Sequence, residues 1–273
     1  MQSSKRDIKK ATLSKKEITQ NLNTKIIGKE LIFKETTTST QHVAHELAKK
    51  GAEHGTIVIA NEQTEARGRG NRSWRTVKDK AISMSIIIRP HLSPHKAPQL
   101  TLLTATVVAE VIEDIVNIKS QIKWPNDILL QGKKFVGILT EMETIKNEID
   151  YIVIGIGMNV NYSKNELPKQ TNYPTTSLML ETNKQWDIPN LIQHLLRQFE
   201  QSYEQYLING FPMFQKLWES YAFKYGETLY INDFKNKWLG TLIGITEDGA
   251  LLVKDKQDRS KKIYSAEIEW YNY

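Results

Sequence analysis

The chain of 273 residues contains no cysteine. Disulfide bonds, cysteine-ligated zinc and a thiol nucleophile are therefore excluded, and we expect a protein of the reducing cytoplasm. Long apolar runs are absent as well, since residues 1–30 lack the apolar core of a signal peptide. The most apolar stretch, residues 100–116, is interrupted by Glu110, Glu113 and Asp114. It predicts a buried amphipathic helix, so we expect no association with a membrane.

Several familiar catalytic motifs are missing too. The sequence has no phosphate-binding Walker A motif, no Gly-x-Ser-x-Gly nucleophile motif and no His-Glu-x-x-His zinc motif. His42 and His45 are three residues apart on a predicted helix, a spacing that is compatible with a metal. Since no third ligand is evident nearby, a polar helix face is the better interpretation. Metal ligands therefore stay unassigned.

The composition is that of an ordinary globular enzyme, with 40% apolar and 25% charged residues. The length allows one large domain with a full hydrophobic core and a second, small domain. The formal net charge of +6 points to an anionic partner. Nucleotide phosphates, an acidic protein and nucleic acid would all satisfy this charge, so it does not choose among them.

The pattern along the chain predicts three parts. Residues 1–24 are rich in Lys, Ser, Thr and Asn, which predicts a basic, mobile tail; a short helix within it is an alternative that the sequence does not decide. Residues 25–225 mix strands and helices without a regular βαβ repeat, which favours an α+β domain over a doubly wound sheet. Residues 226–273 contain short predicted strands, two of them joined by a turn at Asp248 and Gly249. They predict a small β-barrel.

Residues 63–74 follow a predicted buried strand and have the sequence Gln-Thr-Glu-Ala-Arg-Gly-Arg-Gly-Asn-Arg-Ser-Trp. Glycine lets a backbone approach a ligand closely, and the guanidinium groups of Arg67, Arg69 and Arg72 suit phosphate or carboxylate oxygens. The pattern predicts a loop that closes over an anion. A flexible, solvated basic loop is the alternative interpretation.

Two further segments carry chemistry. Residues 123–127, Lys-Trp-Pro-Asn-Asp, predict a rigid extended turn, because proline disfavours helical geometry in the residue before it. Lys123 would lie beside an aromatic wall, where it can neutralise a carboxylate and a phosphate that approach each other; an ordinary surface lysine is the alternative. Residues 155–161, Gly-Ile-Gly-Met-Asn-Val-Asn, end an apolar strand. Two glycines in a strand predict a bulge or a ligand packed against the backbone.

Together and in this order, the three segments resemble those of the biotin protein ligases. Residues 123–127 match the family's Lys-Trp-Pro-Asn-Asp sequence, and residues 132–139 match the segment that follows it. Residues 155–160 match its Gly-x-Gly-x-Asn-Val strand, and residues 39–41 look like its Ser-Thr-Asn biotin-contacting element. The likeness extends from about Lys25 to the C-terminus.

The resemblance implies a catalytic domain similar to class II aminoacyl-tRNA synthetases, followed by a small SH3-like β-barrel. It implies an enzyme that activates biotin with Mg²⁺ and ATP to biotinyl-5′-AMP and then transfers biotin to a lysine of a biotin carboxyl carrier protein. Residues 18–28 resemble the linker that follows a DNA-binding domain in bifunctional members, so the chain looks like a form without that domain. Nucleic acid is then not an expected partner, and a homodimer is left open.

The resemblance also implies the site. Lys123 would stabilise the charge that develops as the carboxylate meets the phosphate, and Arg69 would act with it. The residues expected to contact biotin are Ser39, Thr40, Gln41, Gln63, Arg67, Lys123, Gly137, Gly155 and Gly157. The residues expected to contact ATP or the adenylate are Arg67, Gly68, Arg69, Arg72, Trp74, Asn126, Lys134 and Asn159.

The chain departs from the family pattern at four positions, where Ala66, Asn71, Asp79 and Ala81 replace usual glycines. The loop arginines are kept, so we expect activity; loop closure and retention of the adenylate are the properties that these changes would affect. A lipoate or octanoate ligase shares the architecture, but the arginine-rich loop and the Lys-Trp-Pro-Asn-Asp sequence favour biotin. A biotin-sensing DNA-binding regulator lacks room for a helix-turn-helix domain, and a binding protein without catalysis remains an alternative.

Overall fold

The structure is a computed structural model that describes residues 13–168, 173–234 and 236–269. Within these ranges the α-helices are α1 (Lys15–Thr19), α2 (Thr40–Lys49), α3 (Ala97–Val116), α4 (Leu178–Thr182), α5 (Ile188–Asn209) and α6 (Pro212–Tyr221). The first group of strands is β1 (Leu31–Thr37), β2 (Ile57–Gln63), β3 (Ala81–Ile88), β4 (Gln121–Lys123), β5 (Asp127–Leu130), β6 (Lys133–Ile145) and β7 (Glu148–Asn159). The second group is β8 (Thr228–Asn232), β9 (Lys237–Ile245), β10 (Leu251–Lys254), β11 (Ser260–Ile263) and β12 (Glu267–Ile268).

The first group of strands forms a mixed sheet in the order β1-β2-β3-β7-β6-β5-β4. The β1–β2 pair is parallel, and the other neighbours are antiparallel. Helix α2 packs against β2, β3 and β7, whereas α3 packs against β4, β5 and β6 as well as α5 and α6. Because the central strands are covered on both faces, they have continuous apolar sequences, and β3 is buried along its whole length. This largely antiparallel, mixed arrangement agrees with the prediction of an α+β domain.

The second group of strands forms an antiparallel sheet in the order β11-β10-β9-β8-β12. The predicted turn lies between β9 and β10, where Gly249 has a φ of 84°, which glycine adopts without steric cost. From the sequence, residues 263–268 are also among the short predicted strands of this part of the chain. That prediction is wrong, because residues 264–266 separate β11 from β12. Buried side chains of this sheet belong to the same hydrophobic core as α3 and α6.

The short helix that the sequence left open is present as α1, and its packing contradicts a mobile tail over residues 13–24; residues 1–12 lie outside the described residues. Helix α1 packs against α5, where Gln193 Nε2 donates to the backbone oxygens of Glu17 (2.8 Å) and Ile18 (3.2 Å). The Ile18 side chain is fully buried. Apolar residues are few in this segment, but Leu13 and Ile18 are buried in the core, Leu22 packs against it, and two hydrogen bonds from α5 add to these contacts.

The sequence analysis did not predict α4, α6, β4 or β5. The two strands form an antiparallel hairpin in which Lys123 is paired with Asp127, so the turn between them holds these two side chains close together. Three-residue strands leave too short a pattern for periodicity to detect. In the part of the chain that the structure describes, no helix combines the length and the apolarity needed to cross a bilayer.

Glu200 of α5 anchors the segment that leads from α1 to β1. Its carboxylate accepts hydrogen bonds from the backbone N–H groups of Lys25 (2.7 Å), Ile26 (2.7 Å) and Ile27 (2.9 Å). Burial alone would raise the pKa of this carboxyl group, but the three donors outweigh burial and hold the pKa below its ordinary value. The ionised carboxylate therefore stabilises the folded state.

We predict that Glu200→Gln lowers the free energy of unfolding at neutral pH by about 1.5–3 kcal/mol, the range for hydrogen bonds to a charged group. Since folding lowers the pKa of Glu200, the wild-type advantage is present above the ordinary carboxyl pKa and is lost as the pH falls through the folded-state value. Denaturant unfolding at neutral and acidic pH measures both effects. Glu204→Gln is the matched control, because the exposed ion pair of Glu204 with Lys25 Nζ (3.2 Å) contributes little. Equal losses in the two variants would contradict this role of Glu200.

Candidate active site

A cavity of about 330 Å³ brings together the three segments that the sequence analysis singled out. It lies between the N-terminus of α2, the loop of residues 63–74, the β4–β5 turn and the strands β6 and β7. Residues 266–269, in and beside β12, complete its lining. The large sheet therefore provides the floor, and the small sheet provides part of one wall.

Glycines form the floor because two side chains lie directly on the sheet. Gly137 of β6 is paired with Gly157 of β7, and the indole of Trp74 lies against both. A Cβ atom at Gly157 would lie 2.6 Å from the Trp74 ring, and a Cβ atom at Gly155 would lie 2.6 Å from Gln41 Oε1. The sequence predicted a bulge or a ligand at these glycines; the structure has regular pairing there, and the side chains of Trp74 and Gln41 pack against the strand backbone. Larger residues at these positions would displace them.

Polar side chains line one end of the cavity, at the N-terminus of α2. Gln63 Oε1 accepts hydrogen bonds from the backbone N–H of Thr40 (2.8 Å) and from the Thr40 hydroxyl group (3.2 Å). The Ser85 hydroxyl oxygen lies 2.9 Å from Thr40 Oγ1 and 3.1 Å from Gln41 Oε1. Ser39, the N-cap residue of α2, lies beside them. Of these residues only Ser85 was not predicted, because it lies inside an apolar strand that carries no motif.

Cationic side chains line another part of the cavity. Lys123 is 8% exposed, and Lys134 Nζ lies 2.5 Å from Asp127 Oδ1. Burial is the main cause that lowers the pKa of Lys123 to about 8; Asp127 acts in the opposite direction, while Lys134, Arg72 and Arg69 lower the pKa further. Lysines and arginines that converge in this way form a site for an anionic ligand.

The small sheet holds two arginines of the loop. Arg69 donates to Ser265 Oγ (3.0 Å) and to the backbone oxygen of Ala266 (3.4 Å), and Arg72 forms an ion pair with Glu267. Burial lowers the pKa of Arg69, and so does the neighbouring charge of Arg72. The sequence analysis missed this part of the site, because nothing in the short C-terminal strands indicates that they reach a loop almost two hundred residues earlier.

A further contact joins the small sheet to the β4–β5 turn. Trp124 is buried, and its indole N–H donates to the backbone oxygen of Gly249 (3.2 Å) in the turn between β9 and β10. The two sheets are therefore connected on both sides of the cavity, through the loop arginines and through Trp124.

Every residue predicted to contact biotin or the adenylate lines this cavity except Asn159. The Asn159 side-chain amide donates to the backbone oxygen of Thr176 (3.0 Å), so it ties the end of β7 to the segment before α4. Among the lining residues that the sequence analysis missed, Asp127 belongs to the Lys-Trp-Pro-Asn-Asp sequence itself. Leu139 lies two residues beyond Gly137, and the alternation of side chains along a strand would have found it.

The positions at which the family usually has glycine are accommodated in different ways. Asp79 has a φ of 59°, a conformation that favours glycine, and reciprocal hydrogen bonds with Asn61 (both 2.9 Å) support it there. Ala81 is buried in β3 opposite Asn159. Ala66 is buried as well, and its backbone oxygen accepts a hydrogen bond from the backbone N–H of Trp74 (2.9 Å). The loop therefore keeps an ordered base despite these substitutions.

The two histidines with helical spacing have carboxylate neighbours. His42 lies 3.3 Å from Glu46 on the same helix, and His45 lies 3.2 Å from Glu141 of β6. The described residues contain no group of three or more histidine and carboxylate side chains that could hold a metal ion.

A model of the biotin/lipoate A/B protein ligase family matches residues 33–159, which include the large sheet and most of the cavity lining. These features define the general class of protein, a ligase of this broad family.

More similar relatives narrow the class. The bifunctional ligase/repressor BirA of Bacillus subtilis (strain 168) is 42% identical over 261 residues, or 96% of this chain and 80% of that protein. The bifunctional ligase/repressor BirA of Bacillus spizizenii has the same identity and coverage. The solved structure of the biotin protein ligase from Aquifex aeolicus in complex with biotin and ATP has a TM-score of 0.74 and 30% identity, covering 88% of this chain and 98% of its own. The chain belongs to the biotin protein ligases and has their mixed α/β fold.

We predict that the affinity for pyrophosphate, a compact polyanion, falls as the pH rises through about 8, because Lys123 loses its positive charge there. Calorimetric titration at pH 7 and pH 9 measures the change. Lys123→Arg keeps the charge over this range and should show a flatter profile. The difference between the two profiles separates Lys123 from the ionisation of pyrophosphate itself. Identical profiles for wild type and variant would remove Lys123 from the anion site.

Proposed function

We propose that the chain activates biotin with ATP to biotinyl-5′-AMP and transfers biotin to a specific lysine of a biotin carboxyl carrier protein. The observation that carries the proposal is one cavity with a polar end, a floor of strand glycines against which Trp74 and Gln41 lie, and a cationic part. These features suit, in order, a ureido ring, an aliphatic chain, and the oxygens of a carboxylate and a phosphate. The Aquifex aeolicus structure, described as a complex with biotin and ATP, supports the same assignment.

The proposed roles follow the geometry of the cavity. The ring of biotin would contact Ser39, Thr40, Gln41 and Gln63, and its chain would lie along Gly137, Gly155 and Gly157. The carboxylate would face Arg67 and Lys123. ATP would contact Gly68, Arg69, Arg72, Trp74, Asn126 and Lys134. Asn159 is given a supporting role, since its side chain is bonded to Thr176.

In the first half-reaction a carboxylate oxygen of biotin attacks the α-phosphorus of ATP, the bond to the β-phosphate oxygen breaks, and pyrophosphate leaves. Two anions must approach each other, and their repulsion is the main barrier. Lys123, buried and close to Lys134, Arg69 and Arg72, would stabilise the charge in the transition state. With a pKa of about 8, Lys123 is mostly protonated at neutral pH.

In the second half-reaction the neutral amine of the acceptor lysine attacks the acyl carbon, the anhydride C–O bond breaks, and AMP leaves. The adenylate must be protected from water until the acceptor arrives. The contacts of Arg69 with Ser265 and Ala266, and of Arg72 with Glu267, support a closed loop that provides this protection.

Magnesium would enter with ATP and neutralise phosphate charge. In the cavity Asp127 is bonded to Lys134 and Glu267 to Arg72, so neither carboxylate is available without rearrangement. Hard cations of this kind are commonly held by substrate phosphates and water with one or two carboxylates. We therefore propose that the phosphates supply most ligands.

We also propose the finer domain description. Residues 25–225 would form a catalytic domain like that of class II aminoacyl-tRNA synthetases, and residues 226–273 an SH3-like barrel. The five-stranded antiparallel sheet with its shared core supports the second part. The cytoplasmic location remains a prediction from the sequence, and a homodimer remains open.

A lipoate or octanoate ligase is the second candidate function, since the matching family model includes both classes. The polar end of the cavity favours biotin. A dithiolane or an alkyl chain would face the hydrogen-bonded side chains of Thr40, Gln41, Gln63 and Ser85 without using their remaining acceptor capacity, and a site built to bond polar groups discriminates against such a ligand.

We predict pyrophosphate exchange into ATP that depends on biotin and not on lipoate or octanoate. Lys123→Ala should reduce this exchange by more than about a hundredfold, the effect of losing one strong electrostatic group. Lys78→Ala is the matched control, because Lys78 forms an exposed ion pair with Glu35 (3.3 Å) outside the cavity lining. Exchange with lipoate alone would move the chain to the other ligases, and a fully active Lys123→Ala would remove Lys123 from the mechanism.

We predict that Arg69→Gly releases more free biotinyl-AMP per turnover, because the variant loses the hydrogen bonds to Ser265 and Ala266 that support the closed loop. Chromatography of the filtrate after a reaction without acceptor measures the release. Arg75→Gly, in the same segment but outside the cavity lining, is the control for added flexibility. If both variants retain the adenylate equally well, Arg69 does not hold the loop.

A further inference from the structure

The side-chain amide of Gln41 lies in the buried gap between α2 and the strands β6 and β7. Its Nε2 donates to the Glu141 carboxylate (2.9 Å) and lies near the backbone oxygens of Val153 (3.2 Å) and Leu139 (3.4 Å). All three acceptors belong to the sheet. An inverted amide would bring its oxygen against them, so the orientation of Gln41 is fixed.

The oxygen of the same amide faces the cavity. Gln41 Oε1 lies 3.1 Å from Ser85 Oγ. A Cβ atom added at Gly155 would meet this same oxygen. Ser85 and Gly155 both line the cavity. Ser85 has one hydroxyl hydrogen, and Thr40 Oγ1 at 2.9 Å competes for it. The Thr40 hydroxyl hydrogen is directed to Gln63. This end of the cavity therefore keeps acceptor capacity for an N–H group of a ligand.

Glu141 is itself held by α2. His45 lies one helical turn after Gln41. Its Nε2 atom is 3.2 Å from the Glu141 oxygen that also accepts the hydrogen bond of Gln41. Its Nδ1 atom is 3.3 Å from the hydroxyl group of Tyr151. Since an ionised carboxylate only accepts, His45 Nε2 carries the hydrogen and donates it. This hydrogen bond is the main cause that holds the pKa of Glu141 below its ordinary value, so the carboxylate is ionised at neutral pH.

We propose that Glu141, held by His45, is a positioning residue for substrate selection, which keeps the Gln41 amide turned so that Oε1 accepts an N–H of the bound ring. Glu141 does not line the cavity and acts through Gln41. The inference rests on the proposed function, because it takes the ring to be the cyclic urea of biotin. The fixed Gln41 amide would favour ligands that carry an N–H donor at this point over ligands that carry none.

The test is the exchange reaction with Glu141→Leu. We expect the KM for biotin to rise about tenfold. This is the effect of losing one hydrogen bond to a charged group, reduced because Glu141 is partly exposed and because backbone acceptors for the Gln41 amide remain. The KM for ATP and kcat should change by less than about twofold, because the hydrogen bonds of Glu141 go to Gln41 and His45, and Arg67 acts on Glu141 through its charge without a hydrogen bond. Glu141→Ala repeats the test if the leucine disturbs packing.

Two control variants separate charge from orientation. Glu141→Gln keeps an oxygen that can accept from both Gln41 and His45, so its KM for biotin should stay close to the wild-type value. Glu143→Leu removes the same charge two residues along β6, on the same face and with an exposed side chain. We expect wild-type kinetics for it. An equal rise in KM in Glu143→Leu would overturn the proposal.

A second measurement uses biotin analogues in which one ureido N–H is replaced by oxygen. The preference for biotin over such an analogue would not change if Glu141 had only a structural role. Wild-type protein should discriminate against one of the two such analogues by about tenfold. In Glu141→Leu this preference should fall to nearly one, and undiminished discrimination would overturn the inference. Wild-type protein without any biotin-dependent exchange would overturn the proposed function instead, so the two failures are distinguishable.

Discussion

Repulsion among buried cations is the constraint on which the rest of this site depends. Lys123 and Lys134 lie within reach of each other and of two arginines, and in a medium of low dielectric such charges destabilise one another. Asp127 and Glu267 offset part of this repulsion through their ion pairs. Asp127 begins β5 and Glu267 begins β12, so the two carboxylates that offset the repulsion come from different sheets.

This constraint gives a physical reason for the contacts between the small sheet and the proposed site. The sheet supplies Ser265, Ala266 and Glu267 to the loop arginines, and it accepts a hydrogen bond from Trp124 beside Lys123. The cations are therefore oriented before any ligand arrives, which is the condition for electrostatic catalysis without reorganisation. An anionic substrate would take over the role that the two carboxylates have in the free protein.

Much of the site could be predicted from the sequence, because its residues occur in dense local motifs. The arginine loop and the Lys123 turn are each a few residues long, and a single cavity contains both. What could not be predicted depends on contacts between distant segments. Glu141 and His45 are 96 residues apart, and the sequence indicated only a polar helix face for His45. The burial of Leu13 and Ile18 depends on a few apolar side chains in a polar segment. The strand over residues 263–268 was predicted too long because its apolar ends hide the break at Ser265.

The anchor at Glu200 has a mechanical consequence. The backbone from Lys25 to Ile27 is fixed to α5 just before β1 begins, and α1 is bonded to the same helix. A pulling force applied to residues before Lys25 is therefore borne by α5 and the core behind it. Part of such a load therefore reaches α5 before it reaches β1, the edge strand of the large sheet.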